Sequence, residues 1–392
     1  MICRSRSAEP SRWVRTLTSA KLVACLGIGA AVLTSPVGSQ PDAKELRYAT
    51  TQKERAKYTV ETRETFKRVT KLTKGELTFR IYANGVLYNT RGAVKALSGG
   101  VADFSQVIWV LHPSEFPHAT LPAQFATINE HMLQAAGALS EFHLVTCKEC
   151  IKEYKKINVM PLGTDAASRY SLMCNRKISN IKALKGLRVR AVGAMSHFAV
   201  ELGMVPTRVA GPEIVGSMQR GVLDCAYAVL PWLYNYGLAD VSKHVIDRGQ
   251  GAALGGGMLW MRYATWKSLT KSQRRAFRAA LPDHAYRMVM NAADAEARQM
   301  LARAKSSGIV VTDGGAAMAA AWKRFRAKER NRVIKIATKR GIKNPAKFVD
   351  SLIKVFSIWS KEMKGQETSR EKFVELMRTR VMAKSPILNN FE

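Results

Sequence analysis

Gly100-Val101-Ala102-Asp103 and Gly221-Val222-Leu223-Asp224 decide how this sequence folds. In both places a short helical segment ends at glycine, a hydrophobic strand follows, and an aspartate takes the same place near the strand's start. Working outward from the first copy, residues 101–110 predict a strand and residues 90–97 a short helix. Upstream, Leu77, Phe79 and Ile81 alternate with Thr78, Arg80 and Tyr82, the period of a strand with two unlike faces. Asn84-Gly85 then turns the chain. Tyr58, Phe66, Val69 and Leu72 recur at helical spacing across 55–72, and 46–50 predicts the first strand. Around the second copy the order returns: strand 187–192, helix 194–202, strand 206–210, helix 213–218, strand 222–229. The same order twice predicts two similar α/β lobes. Open α/β sheets bind ligands beyond the carboxyl ends of their strands and near helix N-termini, so a cleft between the lobes is the expected site.

Further along, Thr270-Lys271-Ser272-Gln273 is a capping-box pattern heading a long helical region toward Lys305, with Pro282 as a kink or restart. Gly308 ends it, 309–311 predicts a strand, and the chain beyond Gly315 reads as helical and basic. The expected layout is lobe I over 44–167 plus 256–295 and lobe II over 168–255 plus 296–356, with connecting segments crossing between them. Residues 357–392 are expected to form a polar helical extension.

With 392 residues, 47% of them hydrophobic, the chain has ample core for two domains. Its 62 Lys plus Arg against 30 Asp plus Glu give a net charge of +32, which favours anionic partners. The basic residues are spread along the whole length, with no basic arm, aromatic RNA-binding signature or paired Cys/His finger, so no nucleic acid is expected. Arg4, Arg6, Arg12, Arg15 and Lys21 precede an apolar run, residues 22–33, too short to span a bilayer. Val37-Gly38-Ser39 follows. This is the pattern of a cleavable signal peptide over residues 1–39. Most of the apolar run follows Cys25, whereas a lipoprotein cysteine should close such a run, which argues against a lipid anchor. In an exported chain, Cys147, Cys150, Cys174 and Cys225 are expected as structural disulfides or buried thiols, with three pairings open. No G-x-S-x-G, H-E-x-x-H or phosphate-cradling glycine loop occurs, so neither an enzyme nor a cofactor or metal is expected. Asp103 and Asp224, at matching places in the two lobes, are expected to share a structural job.

The order and spacing of several short blocks resemble the periplasmic solute-binding subunits of tripartite ATP-independent periplasmic (TRAP) transporters, the dicarboxylate-binding group. The blocks are Gly75-Glu76-Leu77-Thr78-Phe79, Ala96-Leu97 through Asp103, Phe116-Pro117 to Leu121-Pro122, and Lys185-Gly186-Leu187-Arg188-Val189-Arg190. They continue with Leu202-Gly203, Pro206, Gly221-Val222-Leu223-Asp224 and Trp266-Lys267-Ser268-Leu269-Thr270. The resemblance implies a periplasmic, non-enzymatic monomer that captures a small organic anion between its lobes and delivers it to membrane permease subunits; an exported ligand-sensing domain or the binding subunit of an ATP-driven importer is the alternative, since fold does not fix function.

It also implies site residues. In such proteins an arginine ending the strand that here reads 187–190 grips the ligand carboxylate, which puts Arg190 in that role. A planar, permanently charged guanidinium suits both carboxylate oxygens. Arg169 and Tyr170 fall near a second arginine position, and Thr51 and Gln106 at ligand-facing positions of the first lobe. Trp109, Trp232 and Tyr234 lie near strand ends, where they stack on a ligand or pack the lobe cores. Gly211 and Ala228 replace an aromatic residue and an Asn of some relatives, and are expected to leave a larger, less polar pocket.

Overall fold

The computed structural model describes residues 43–125, 131–163, 167–254 and 256–389. The expected signal peptide, 1–39, lies outside the described residues.

Two sheets form. The first joins β1 (Lys44–Ala49), β2 (Leu77–Tyr82), β3 (Phe104–Val107), β4 (Val159–Pro161) and β10 (Gly257–Arg262), in the order β2-β1-β3-β10-β4. Strand β1 runs parallel to β2 and β3, while β10 is antiparallel to β3 and β4. The second sheet joins β5 (Ala167–Cys174), β6 (Arg188–Arg190), β7 (Val205–Thr207), β8 (Cys225–Val229), β9 (His244–Ala253) and β11 (Val310–Thr312). Its order is β11-β9-β5-β8-β6-β7. The chain passes from first sheet to second between β4 and β5, and back between β9 and β10.

The sequence echo corresponds to one repeated geometry. In the first sheet the Asp103 carboxylate accepts from the Arg47 backbone N–H at 2.9 Å, and the Asp103 N–H donates to the Arg47 carbonyl at 2.9 Å. In the second sheet Asp224 accepts from the Arg188 N–H at 2.9 Å and donates to its carbonyl at 2.8 Å. Each aspartate thus begins a strand by closing a two-bond ring with the parallel strand beside it, and each also pairs with that arginine's side chain.

Each sheet has its own core. On the first, the helix Lys57–Leu72 buries Phe66 and Val69 at helical spacing, while its Tyr58 packs with Met288 and Ala292. Phe66 stacks on Phe79 at 4.2 Å between ring centroids, and Phe104 and Phe277 continue the aromatic cluster. The capping box is present as the sequence predicts: Gln273 N–H donates to Thr270 Oγ1 and Thr270 N–H to Gln273 Oε1. That helix, Lys271–Arg287, contains Pro282 and runs on through a wider-wound segment, Met288–Ala295, into the helix Glu296–Ser306. Its first half buries Phe277, Leu281 and Val289 in the first core; its second half buries Ala297 and Ala304 in a core of the second sheet.

The C-terminal end of the chain departs from expectation. From Val333 onward the chain packs in the first core, not the second, and the helix Pro345–Glu362 passes straight through residue 357. The tail beyond is not a polar appendage: Trp359, Phe373, Met377, Val381 and Leu388 are fully buried. Trp359 Nε1 donates to Glu141 Oε2 at 2.7 Å, and Arg380 grips both oxygens of the same carboxylate. Gly137 makes room for the indole, since a Cβ there would stand 2.1 Å from a ring carbon. Polar residues between the apolar ones conceal a periodic face in this stretch.

The cysteines pair as Cys147–Cys150 and Cys174–Cys225. The first closes the head of the helix Lys148–Ile157, where Cys147 Sγ also accepts from the Cys150 N–H. The second joins β5 to β8 at facing register positions. Among the described residues no helix is long and apolar enough to cross a membrane.

Candidate functional site

The carboxyl ends of β1 and β6, with the turns that follow them, bring residues of the two sheets together. Strand β6 ends at Arg190, beside Ala226 of β8; Ala49 holds the matching place in β1, beside Ser105 of β3. The repeated geometry therefore carries a cation in one sheet only.

Arg190 is 2% exposed. Its Nε donates to the Val209 carbonyl at 2.9 Å and its Nη1 to the Tyr227 carbonyl at 2.8 Å. The Tyr170 hydroxyl hydrogen-bonds to it, and the guanidinium carbon lies 5.2 Å from the centre of the Trp232 ring. Burial pushes the Arg190 pKa down while Tyr170 and Tyr236 pull it back up; guanidinium nonetheless stays charged. Among the described residues no carboxylate pairs with it. A buried cation held by carbonyls and a phenol has the chemistry to pair with a carboxylate.

Arg188, two residues earlier, is committed elsewhere. Its Nε and Nη2 lie on Asp224 at 3.0 and 3.1 Å, and its side chain is half exposed.

Facing Arg190, the end of β1 supplies Thr50, Thr51 and Gln52, and β3 supplies Gln106. Thr50 Oγ1 and Thr51 Oγ1 donate to Gln106 Oε1 at 2.9 and 3.1 Å. Gln52 Nε2 donates to the Tyr236 hydroxyl at 2.9 Å, and that hydroxyl also bonds to Thr51. Burial pushes the Tyr236 phenol up to about 12, so it stays protonated at neutral pH. Tyr236 follows β8 and Gln52 follows β1, so this bond bridges the two sheets.

The structure thus brings together Thr51, Gln106, Tyr170, Arg190 and Trp232 of the residues singled out from sequence. Three others lie apart. Trp109 is fully buried in the first core, tilted against His143. Tyr234 packs against a core of the second sheet, with the Arg303 guanidinium 4.0 Å above its ring. Arg169 is exposed, next to Tyr170 on an irregular stretch of β5.

Tyr234 fails for a plain reason. Residues Trp232–Asn235 form a helical turn, so the partner of Trp232 is four residues on, at Tyr236; the two rings meet at 5.0 Å. That spacing in Trp232-Leu233-Tyr234-Asn235-Tyr236 is the signal that finds Tyr236. Gly211 does not enlarge the site either. A Cβ there would stand 2.9 Å from Tyr236 and 3.1 Å from Trp232, so these rings fill the space. Ala228 is fully buried in the apolar cluster against which both rings pack. Gln52 carries no motif of its own and emerges only from the fold.

The family model of the bacterial extracellular solute-binding proteins, family 7 (DctP), matches residues 48–332. Among solved structures, a marine metagenome TRAP solute-binding protein from an unidentified microbe, specific for aromatic acid ligands, superposes with a TM-score of 0.71 at 17% identity. The match covers 80% of this chain and 99% of that one. A TRAP solute-binding protein from Rhodoferax ferrireducens with copurified benzoate matches with a TM-score of 0.71 at 16% identity, over 81% and 99% of the two chains. An extracytoplasmic solute receptor of Bordetella pertussis that binds pyroglutamic acid matches with a TM-score of 0.68 at 14% identity, over 80% and 100%. The two sheets with separate cores are thus those of a two-lobed solute-binding fold, and the chain belongs to the bacterial extracellular solute-binding protein family 7.

Proposed function

We propose that this chain is the extracytoplasmic solute-binding subunit of a TRAP-type secondary transporter. It captures a small carboxylate between its lobes and passes it to membrane permease subunits. One observation carries the reading: Arg190 is a buried cation with two carbonyls and a phenol around it and no carboxylate among the described residues. The ligand carboxylate docks on Arg190 and Tyr170, with Trp232 against the guanidinium and Thr51 and Gln106 on the opposite wall. Acids bound by structural relatives, aromatic acids and pyroglutamate, set the expected size. The mature protein acts in the periplasm as a monomer after loss of residues 1–39, and it binds its solute without transforming it.

A thermal-shift screen of organic acids on the purified mature protein tests this. A ligand at a hundred times its dissociation constant adds about 2.7 kcal/mol to stability, a plain rise in melting temperature. Neutral sugars raising the melt while every carboxylate fails would overturn the reading.

A further inference from the structure

The wall facing Arg190 carries a polarity that a carboxylate alone does not use. Gln52 and Gln106 are 1% and 3% exposed, and each leaves one amide atom without a partner: Gln52 Oε1 and Gln106 Nε2. Buried polar atoms without partners cost free energy, and a native structure keeps them where something else satisfies them.

The hydrogen bonds around them show which amide atoms are already engaged. The Gln52 backbone N–H donates to Thr50 Oγ1 at 3.1 Å, so the Thr50 hydroxyl turns its own proton to Gln106 Oε1. Thr51 gives its proton to the same oxygen. Tyr236 accepts from Gln52 Nε2 at 2.9 Å, and its hydroxyl also bonds to Thr51. What remains is an N–H donor at the Gln106 end and a carbonyl acceptor at the Gln52 end. The occupant must therefore bring both an acceptor and a donor, beyond its carboxylate.

We propose that the ligand is a carboxylic acid bearing an amide. Its carbonyl accepts from Gln106 Nε2 and its N–H donates to Gln52 Oε1, while the carboxylate rests on Arg190. A lactam suits the pair best, because its cis amide shows donor and acceptor on one edge. This rests on the carboxylate-binding reading above. A simple aromatic acid such as benzoate satisfies neither glutamine.

Calorimetry with matched probes tests it: pyroglutamate and N-acetylglycine as amide acids, the lactone analogue of pyroglutamate, which keeps the carbonyl but lacks the N–H, and cyclopentanecarboxylate, which lacks both. The expected order is an amide acid tightest, the lactone at least about tenfold weaker, and cyclopentanecarboxylate weaker again. Two variants assign the ends. Gln52→Leu should remove the preference for pyroglutamate over the lactone. Gln106→Leu should remove the preference for the lactone over cyclopentanecarboxylate. If cyclopentanecarboxylate or benzoate binds as tightly as either amide acid, the amide assignment falls while the role of Arg190 stands. If no carboxylate of any kind binds, the carboxylate reading falls with it.

Discussion

Arg190 reaches from the end of β6 to Tyr227 of β8, its Nη1 donating to the Tyr227 carbonyl at 2.8 Å. The same guanidinium holds Val209 through Nε and still has N–H groups to offer. Lysine has three donors and no planar fork, so it cannot hold two carbonyls and a carboxylate together. Arg190→Lys is therefore expected to lose nearly as much affinity as Arg190→Ala, on the order of a hundredfold or about 3 kcal/mol. Calorimetry with whichever acid the thermal screen identifies measures it. Wild-type affinity in the lysine variant would show that charge alone, not the fork, makes the contact.

Three residues past Arg190 stands Gly193, with φ +55° and ψ −136°, a conformation that disfavours any side chain. A Cβ there would lie 2.2 Å from the Ala123 carbonyl oxygen, in the short helix Leu121–Gln124. Gly193→Ala must shift backbone on one side or the other, at a cost of about 1–3 kcal/mol. Because the strained loop continues from the strand that ends in Arg190, ligand affinity should fall together with stability. Urea unfolding with and without ligand separates the two effects. An unchanged midpoint in both would show that this contact yields freely.

The aspartate echo made the two α/β sheets legible in the sequence, because a strand-opening aspartate closes a ring with its parallel neighbour in each. Arg190 was legible for a different reason: the block around it resembles a known family. The rest of the site was not. Tyr236 escapes the sequence reading because the helical turn after β8, which pairs it with Trp232, is not among the predicted elements, and Gln52 because nothing local marks it. The apparent hole at Gly211 does not exist because the rings that fill it come from residues 232 and 236, more than twenty positions on. The tail reads as polar because its buried residues are spaced by charged residues.

That tail yields a sharp test. Trp359 is fully buried, lies against Gly137, and donates to Glu141, which Arg380 also holds. Trp359→Ala removes a large side chain from the core and takes a partner from a buried carboxylate. It should destabilise the protein by about 3–5 kcal/mol. Urea unfolding of the variant, monitored by circular dichroism, checks this. A loss under about 1 kcal/mol would mean the tail is only loosely attached.

The two disulfides should differ in worth. Cys174–Cys225 closes a loop across a sequence separation of 51, whereas Cys147–Cys150 spans only 3. On the loop-entropy account the first constrains the unfolded chain by about 4 kcal/mol and the second by about 2. The double variant Cys174→Ala/Cys225→Ala should lower the unfolding midpoint more than Cys147→Ala/Cys150→Ala. The reverse order would assign the stabilisation to local helix capping at Cys147 rather than to loop closure.

Acid stability turns on buried histidines. His143 and His284 are both pushed down to about 3, each by burial first. Their ordinary value is about 6.5, so the folded protein holds both neutral while the unfolded chain takes up protons. Their contribution is complete above about pH 6.5 and is lost as pH falls toward 3, at about 1.4 kcal/mol per pH unit for each. Glu296 opposes them. Burial raises its carboxyl to about 7, so its contribution is complete below its ordinary value of 4.5 and is lost as pH rises through 7. Between pH 4.5 and 6.5 the three together leave the slope of about one histidine; below 4.5 Glu296 drops out and the slope steepens. His143→Phe should flatten the acid limb by one proton's worth, whatever its effect on absolute stability. Urea midpoints collected from pH 3 to 7 for both proteins decide this, and parallel curves would mean that His143 titrates alike in the folded and unfolded chain.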